Sequence, residues 1–154
     1  MGLVRRFEDL EAWREARKLT SSVYRVTRAV GVRSDGALGD QMRRAAVSTM
    51  NNIAEGFDSS SRMEFRRFLR YAIRSASEIQ SCLYVALDQH GMDEATFTTI
   101  YAEAQSVRRL CSGLVRRLGS YGKGSTGGEG RVADLEISYR RTGAPAHWPT
   151  ARPS

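Results

Sequence analysis

The chain has 154 residues, with 24 Lys and Arg against 17 Asp and Glu, a net charge of +7 and two cysteines. Its length favours one domain, and a unit of about 120 residues buries roughly two-thirds of its unfolded surface. So few cysteines exclude a disulfide-built secreted module, no run of about 18 apolar residues is present to cross a membrane, and MGLVRRFEDLEAW lacks a signal-peptide core, so a cytoplasmic setting with reduced thiols is expected.

All but two of the basic residues, Lys18 and Lys123, are arginine. Its planar guanidinium forms paired hydrogen bonds to phosphate or carboxylate and stacks on aromatic rings or bases, so the surface suits polyanions. Residues 1–119 carry 19 basic and 14 acidic groups, which places most of the positive balance there.

No proline precedes Pro145, and glycines divide the first 119 residues into four helix-length segments. The first, Glu8 to Val30, sets Trp13, Ala16, Thr20, Val23, Tyr24, Thr27 and Val30 on one stripe at three- and four-residue spacing, opposite Glu11, Arg14, Lys18 and Arg25. Gly31 to Gly36 reads as a turn. The second segment carries Leu38, Met42, Ala45, Thr49, Met50, Ile53 and Phe57, and is expected to end near Gly56. Val47 and Ala54 lie off its core stripe with Ser48 and Asn51 between them, a second face that suits packing against another copy of the chain.

Ser61 with Glu64 three positions on forms a candidate capping box for the third segment, which runs to about His90. Its stripe is Phe65, Phe68, Leu69, Ala72, Ala76, Ile79, Leu83, Ala86 and Leu87. Asp93 or Glu94 opens the fourth, whose buried face is Phe97, Ile100, Ala104, Val107, Cys111, Leu114 and Leu118. Four amphipathic helices with short connections predict an all-α, up-down-up-down four-helix bundle over residues 1–119. From Gly119, GSYGKGSTGGEG reads as a flexible linker to a disordered tail over 120–154. Within that tail Leu135, Ile137 and Tyr139 alternate as one short strand would, and Pro145, Pro149 and Pro153 favour extended chain.

Catalytic patterns are lacking. A metal site in a helical bundle draws on Glu-x-x-His pairs, and only His90 and His147 are available, the first at a helix end where it would serve the dipole. Cys82 and Cys111 lie on or beside core stripes, no phosphate-binding glycine motif occurs, and of the carboxylates Glu55, Asp58, Glu64 and Glu78 the last three each have an arginine within four positions. A non-enzyme without cofactor or metal is expected.

Arg66, Arg70 and Arg74 follow at four-residue intervals on the third segment, with Arg67 beside them and Arg62 ahead, and are expected to line the face opposite its core. Arg43 and Arg44 on the second segment and Arg108, Arg109, Arg116 and Arg117 on the fourth add adjacent pairs. Clustered arginine is what a phosphate-contacting surface needs, although a solvated helix face is charged in any case. Nothing points to base-specific readout.

FEDLEAWREARKL at Phe7 to Leu19, RRAAVSTMNNIAEG at Arg43 to Gly56 and EFRRFLRYAIRSASEI at Glu64 to Ile79 resemble, in this order, the four-helix bundle proteins named after 23S rRNA intervening sequences. The resemblance runs from Phe7 to Leu118. It implies a homopentameric bundle related to the accessory variability determinant of diversity-generating retroelements, a basic pentamer that binds nucleic acid and a reverse transcriptase. Partners implied are other copies of the chain, nucleic acid, and a reverse transcriptase or another nucleic-acid enzyme, with no membrane. Arg43, Arg44, Asn52, Glu55 and Gly56 match the shared motif in structural or interfacial roles, Glu55 linking helices through Arg43 or Arg44 and Gly56 permitting a sharp helix end. Met50 and Thr49 stand where the family often has proline and isoleucine, and Arg74 where it has glycine, which implies a straighter second helix and one more surface charge.

Overall fold

The computed structural model describes residues 4–120, so the expected tail, with Leu135, Ile137 and Tyr139, falls outside the described residues. A 3-10 turn at Phe7–Asp9 leads into α1 (Glu11–Arg28), α2 (Val30–Arg33), α3 (Gly36–Phe57), α4 (Arg62–Asp88) and α5 (Glu94–Ser120). The architecture is an all-α helical bundle, without strands among the described residues. The main helix pairs are α1 with α3, α3 with α4, α4 with α5 and α5 with α1. Leu19, Val23, Met42, Ile53, Phe65, Leu69, Ile79, Leu83 and Val107 are fully enclosed between them.

The FEDLEAW stretch forms the entry to α1. Asp9 accepts the backbone N–H groups of Arg5 at 3.1 Å and Arg6 at 3.3 Å, and the Phe7 and Trp13 rings meet at 5.1 Å. The buried face of α1 differs from the predicted stripe. Ala12, Ala16, Leu19, Val23 and Val26 go inside, whereas Trp13, Thr20 and Tyr24 are only half-buried at the margin. Aromatic rings with a polar tip settle where one end stays wet, and Arg17 lies 5.8 Å from the Trp13 ring while Arg28 lies 5.9 Å from that of Tyr24. Thr20 Oγ1 donates to the carbonyls of Ala16 and, across to α3, Ala46 at 2.8 and 3.2 Å.

The expected turn at Gly31 to Gly36 contains the one-turn helix α2, because Val32 is buried and needs its backbone satisfied locally. A Cβ on Gly31 would run into the backbone of Gly91, so these two connections pack against each other directly.

Ser61 caps α4, its hydroxyl accepting the Glu64 N–H at 3.2 Å, and Asp93 caps α5 by accepting the Thr96 N–H at 2.7 Å. The Thr96 side chain, hydrogen-bonded to the same carboxylate, and this backbone bond after it hold the Asp93 carboxyl below its usual range. The Glu64 carboxylate pairs with Arg67 at 3.3 Å. His90 ends α4 through its backbone. It takes φ 56°, the Gly91 N–H reaches the Ala86 carbonyl at 2.8 Å and its own N–H reaches that of Leu87 at 3.0 Å. A left-handed conformation costs an L residue about 1 kcal/mol, so His90→Gly should stabilise the fold by about 0.5–1 kcal/mol, read as a thermal midpoint a few degrees higher. A lower midpoint would contradict this.

Candidate nucleic-acid interface

The arginines of α4 do not form one line on one face. Each four-residue step advances about 40° around a helix, so the series spirals. Arg62 and Arg66 are half-buried on the side that meets α5, and the Arg66 guanidinium lies against Gly119, 3.3 Å from where a Cβ would stand. Arg70 and Arg74 reach the outer face and are exposed. Arg74 lies 5.7 Å from the Tyr71 ring, and Arg67, paired with Glu64, lies 5.7 Å from that of Phe68.

On α5 the pair Arg108 and Arg109 divides. Arg108 turns into the α4 seam and donates from Nη1 to Gln80 Oε1 at 2.7 Å, while the Gln80 amide reaches the Tyr101 carbonyl at 3.4 Å. Gln80 is buried and lies outside the predicted stripe. Arg109, Arg116 and Arg117 are exposed. Arg44, Arg70 and Arg109 make no ion pair among the described residues. The Nε–H groups of Arg66 and Arg108 are enclosed without a hydrogen-bond partner, and each such donor costs about 1–3 kcal/mol. Both guanidinium groups therefore gain by shifting toward an arriving acceptor.

The α3 motif arginines sit elsewhere. Arg43 pairs with Asp40 one turn earlier, and Arg43, Arg44, Asp40 and Glu55 share a shallow depression on the outer side of α3. Glu55 makes no ion pair among the described residues, so the expected helix-linking pair with Arg43 or Arg44 is absent. Mixed charge makes this depression a poorer phosphate site than the α4 and α5 surface. Asn52 has a structural role, donating to the Ser48 carbonyl at 2.8 Å and to its hydroxyl at 3.0 Å, and that hydroxyl lies 2.9 Å from Ser75 of α4.

Gly56 does not produce the helix end. It lies inside α3, and a Cβ there would stand 2.7 Å from Phe65 Cδ2 and from Phe68 Cβ, so the missing side chain makes room for α4. Val47 is 37% exposed and Asn51 lies open beside it, leaving the outer face of α3 uncovered within the chain. Thr49 is buried and returns its hydroxyl to the Ala45 carbonyl at 2.8 Å, and α3 runs unbroken through Met50, where a proline would interrupt its bonding.

The thiols offer no nucleophile. Burial pushes Cys111 up to about 12, and burial together with the nearby Glu78 raises Cys82, so both stay protonated near neutrality. Among the described residues no group of three His, Cys, Asp or Glu converges, and no helix is long and apolar enough to cross a membrane.

Sequence reasoning missed the aromatic trio of Tyr84, Phe97 and Tyr101, which gathers on the α4 and α5 seam. Phe97 and Tyr101 stack at 5.5 Å and 29°, and Tyr84 meets them edge-on at 5.0 and 5.9 Å. The signal was the short turn at Gly91, which folds α5 back along α4 and sets position 84 opposite 97 and 101.

The family model described as 23S rRNA-intervening sequence protein matches residues 8–113, from the start of the fold into the second half of α5. Arg116 and Arg117 fall beyond the match. No curated protein matches the chain.

Proposed function

The chain belongs to the 23S rRNA-intervening sequence protein family, and from that premise we propose that it is a non-enzymatic cytoplasmic protein binding structured RNA or DNA through its arginine surface, without strong sequence preference. The family name suggests an association with RNA. Arginines set along α4 and α5 supply the phosphate contacts, and the observation that carries the reading is that Arg70 and Arg109 stand exposed without a carboxylate partner among the described residues. The helix pairs around the core suit an up-down-up-down four-helix bundle, and the open outer face of α3 suits closure into a homopentameric ring.

Phosphate contact dominates such binding, so affinity should fall steeply as salt rises and vary little with sequence. A gel-shift titration of the purified protein against a structured RNA and a duplex DNA, at low and physiological salt, tests this. Shifts with both at low salt that weaken at least about 10-fold at physiological salt are expected. No shift at low salt sinks the reading and moves the basic surface to an acidic protein partner.

A further inference from the structure

The seam between α4 and α5 brings a cluster of three aromatic rings and several arginines onto one stretch of surface. At its Gly91 end lies the aromatic trio, in which Tyr84 is 51% exposed, unusual for a ring already in contact with two others. Tyr101 holds the Tyr84 phenol above its usual range, by charge repulsion and a side-chain hydrogen bond, so the ring stays neutral. At the other end lies Arg66, with the exposed Arg70 one turn along α4 on the outer face beside the seam, and Arg108 lies between them and the rings. At a rise of about 1.5 Å per residue, Arg70 and Tyr84 are about 21 Å apart along α4, room for several nucleotides. Beyond the rings, Asp88, Asp93 and Glu94 set negative charge at the connection. That charge repels phosphate at the ring end and favours it toward Arg70.

We propose that this seam binds an unpaired stretch of nucleic acid, its bases stacking on Tyr84 and its aromatic neighbours and its phosphates meeting Arg66, Arg70 and Arg108. The inference rests on the nucleic-acid reading above and narrows it. A uniform duplex hides its base faces inside the stack and presents only phosphates, whereas loops, bulges and ends expose faces that an aromatic ring can cover. Every base has such a face, so stacking here adds a preference for unpaired structure without a preference for sequence.

The test uses the full chain at low salt with two probes, an oligouridylate of about 12 nucleotides and a fully paired RNA duplex with the same number of phosphates. The wild-type protein should bind the single strand more tightly than the duplex. Tyr84→Ala should weaken single-strand binding by about 5- to 100-fold and change duplex binding by less than about 2-fold, and Tyr84→Phe should keep both. Equal wild-type affinities, or single-strand affinity unchanged in Tyr84→Ala, would overturn the proposal while leaving phosphate binding intact. Equal losses on both probes would make the ring a support of the fold and overturn it as well. Failure of both probes to bind the wild-type protein would remove the broader nucleic-acid reading too.

Discussion

Replacing Arg66, Arg70 and Arg74 together by glutamine is expected to weaken binding to structured RNA and to duplex DNA at low salt by at least about 10-fold. Glutamine keeps helix propensity and a polar tip, so α4 should persist and the thermal midpoint should move little. The three positions contribute differently. Arg70 is exposed without an ion pair among the described residues, and Arg74 lies 5.7 Å from the Tyr71 ring, so both meet a ligand with little rearrangement. Arg66 must leave its place against Gly119, which frees its enclosed Nε–H for a phosphate oxygen. Arg43→Gln with Arg44→Gln should cost less, because Arg43 already pairs with Asp40 and the depression around both carries Glu55. Gel shifts of the two multiple variants beside a thermal melt separate these effects. Equal losses from both would contradict the placement of the site on α4 and α5.

The second large effect concerns stability. Gly56→Ala should destabilise the fold by about 1–3 kcal/mol, the range for overpacking a well-filled core. Alanine is favoured over glycine inside a helix by up to about 1 kcal/mol, which opposes the change. Contact geometry decides the sign. The new methyl would stand 2.7 Å from Phe65 Cδ2 and Phe68 Cβ, and Phe65 is fully buried, so neither can withdraw without moving α4 away from α3. For a domain of this size the thermal midpoint should fall by about 5–15 °C. An unchanged or higher midpoint would show that the two helices yield more easily than their packing implies.

Gly56 also shows how much of the molecule was legible in the chain. Its importance was visible in the NIAEG string, but its reason was not, because a close approach between helices depends on which residue of α4 lies across from it. Local signals served well where the physics is local. The Ser61 cap, the Asp93 start and the buried faces of α3, α4 and α5 follow from side chains within a turn or two of each other. The reading failed where distant packing overrides local preference. Val30–Arg33 forms a helical turn despite Gly31, because Val32 is drawn into the core and Gly31 meets Gly91. Leu19 and Val26 take the centre of the α1 face ahead of Trp13 and Tyr24, whose larger rings settle at its edge.

For the candidate site the residue types were legible and their arrangement was not. A four-residue spacing drifts around the helix, so Arg62 and Arg66 enter the α5 seam while Arg70 and Arg74 leave it, a consequence of 3.6 residues per turn rather than of chemistry. Gln80, Arg108 and the Tyr101 carbonyl form a chain of contacts across two helices that only the antiparallel register brings together. The aromatic trio has the same origin. Phe97 is apolar and fits the core pattern, and only the return of α5 along α4 shows that its partners are tyrosines at the surface.

The most direct test of the central claim is the salt dependence of RNA binding, measured for the wild-type chain and for the Arg66, Arg70 and Arg74 triple glutamine variant over the same salt series. Each phosphate contact contributes about 0.7–0.9 to the slope of log affinity against log salt, so the variant should show a slope shallower by roughly 2–3 together with its weaker binding at low salt. Parallel lines for the two proteins would mean that these arginines touch no phosphate, and would contradict the α4 and α5 surface as the nucleic-acid site.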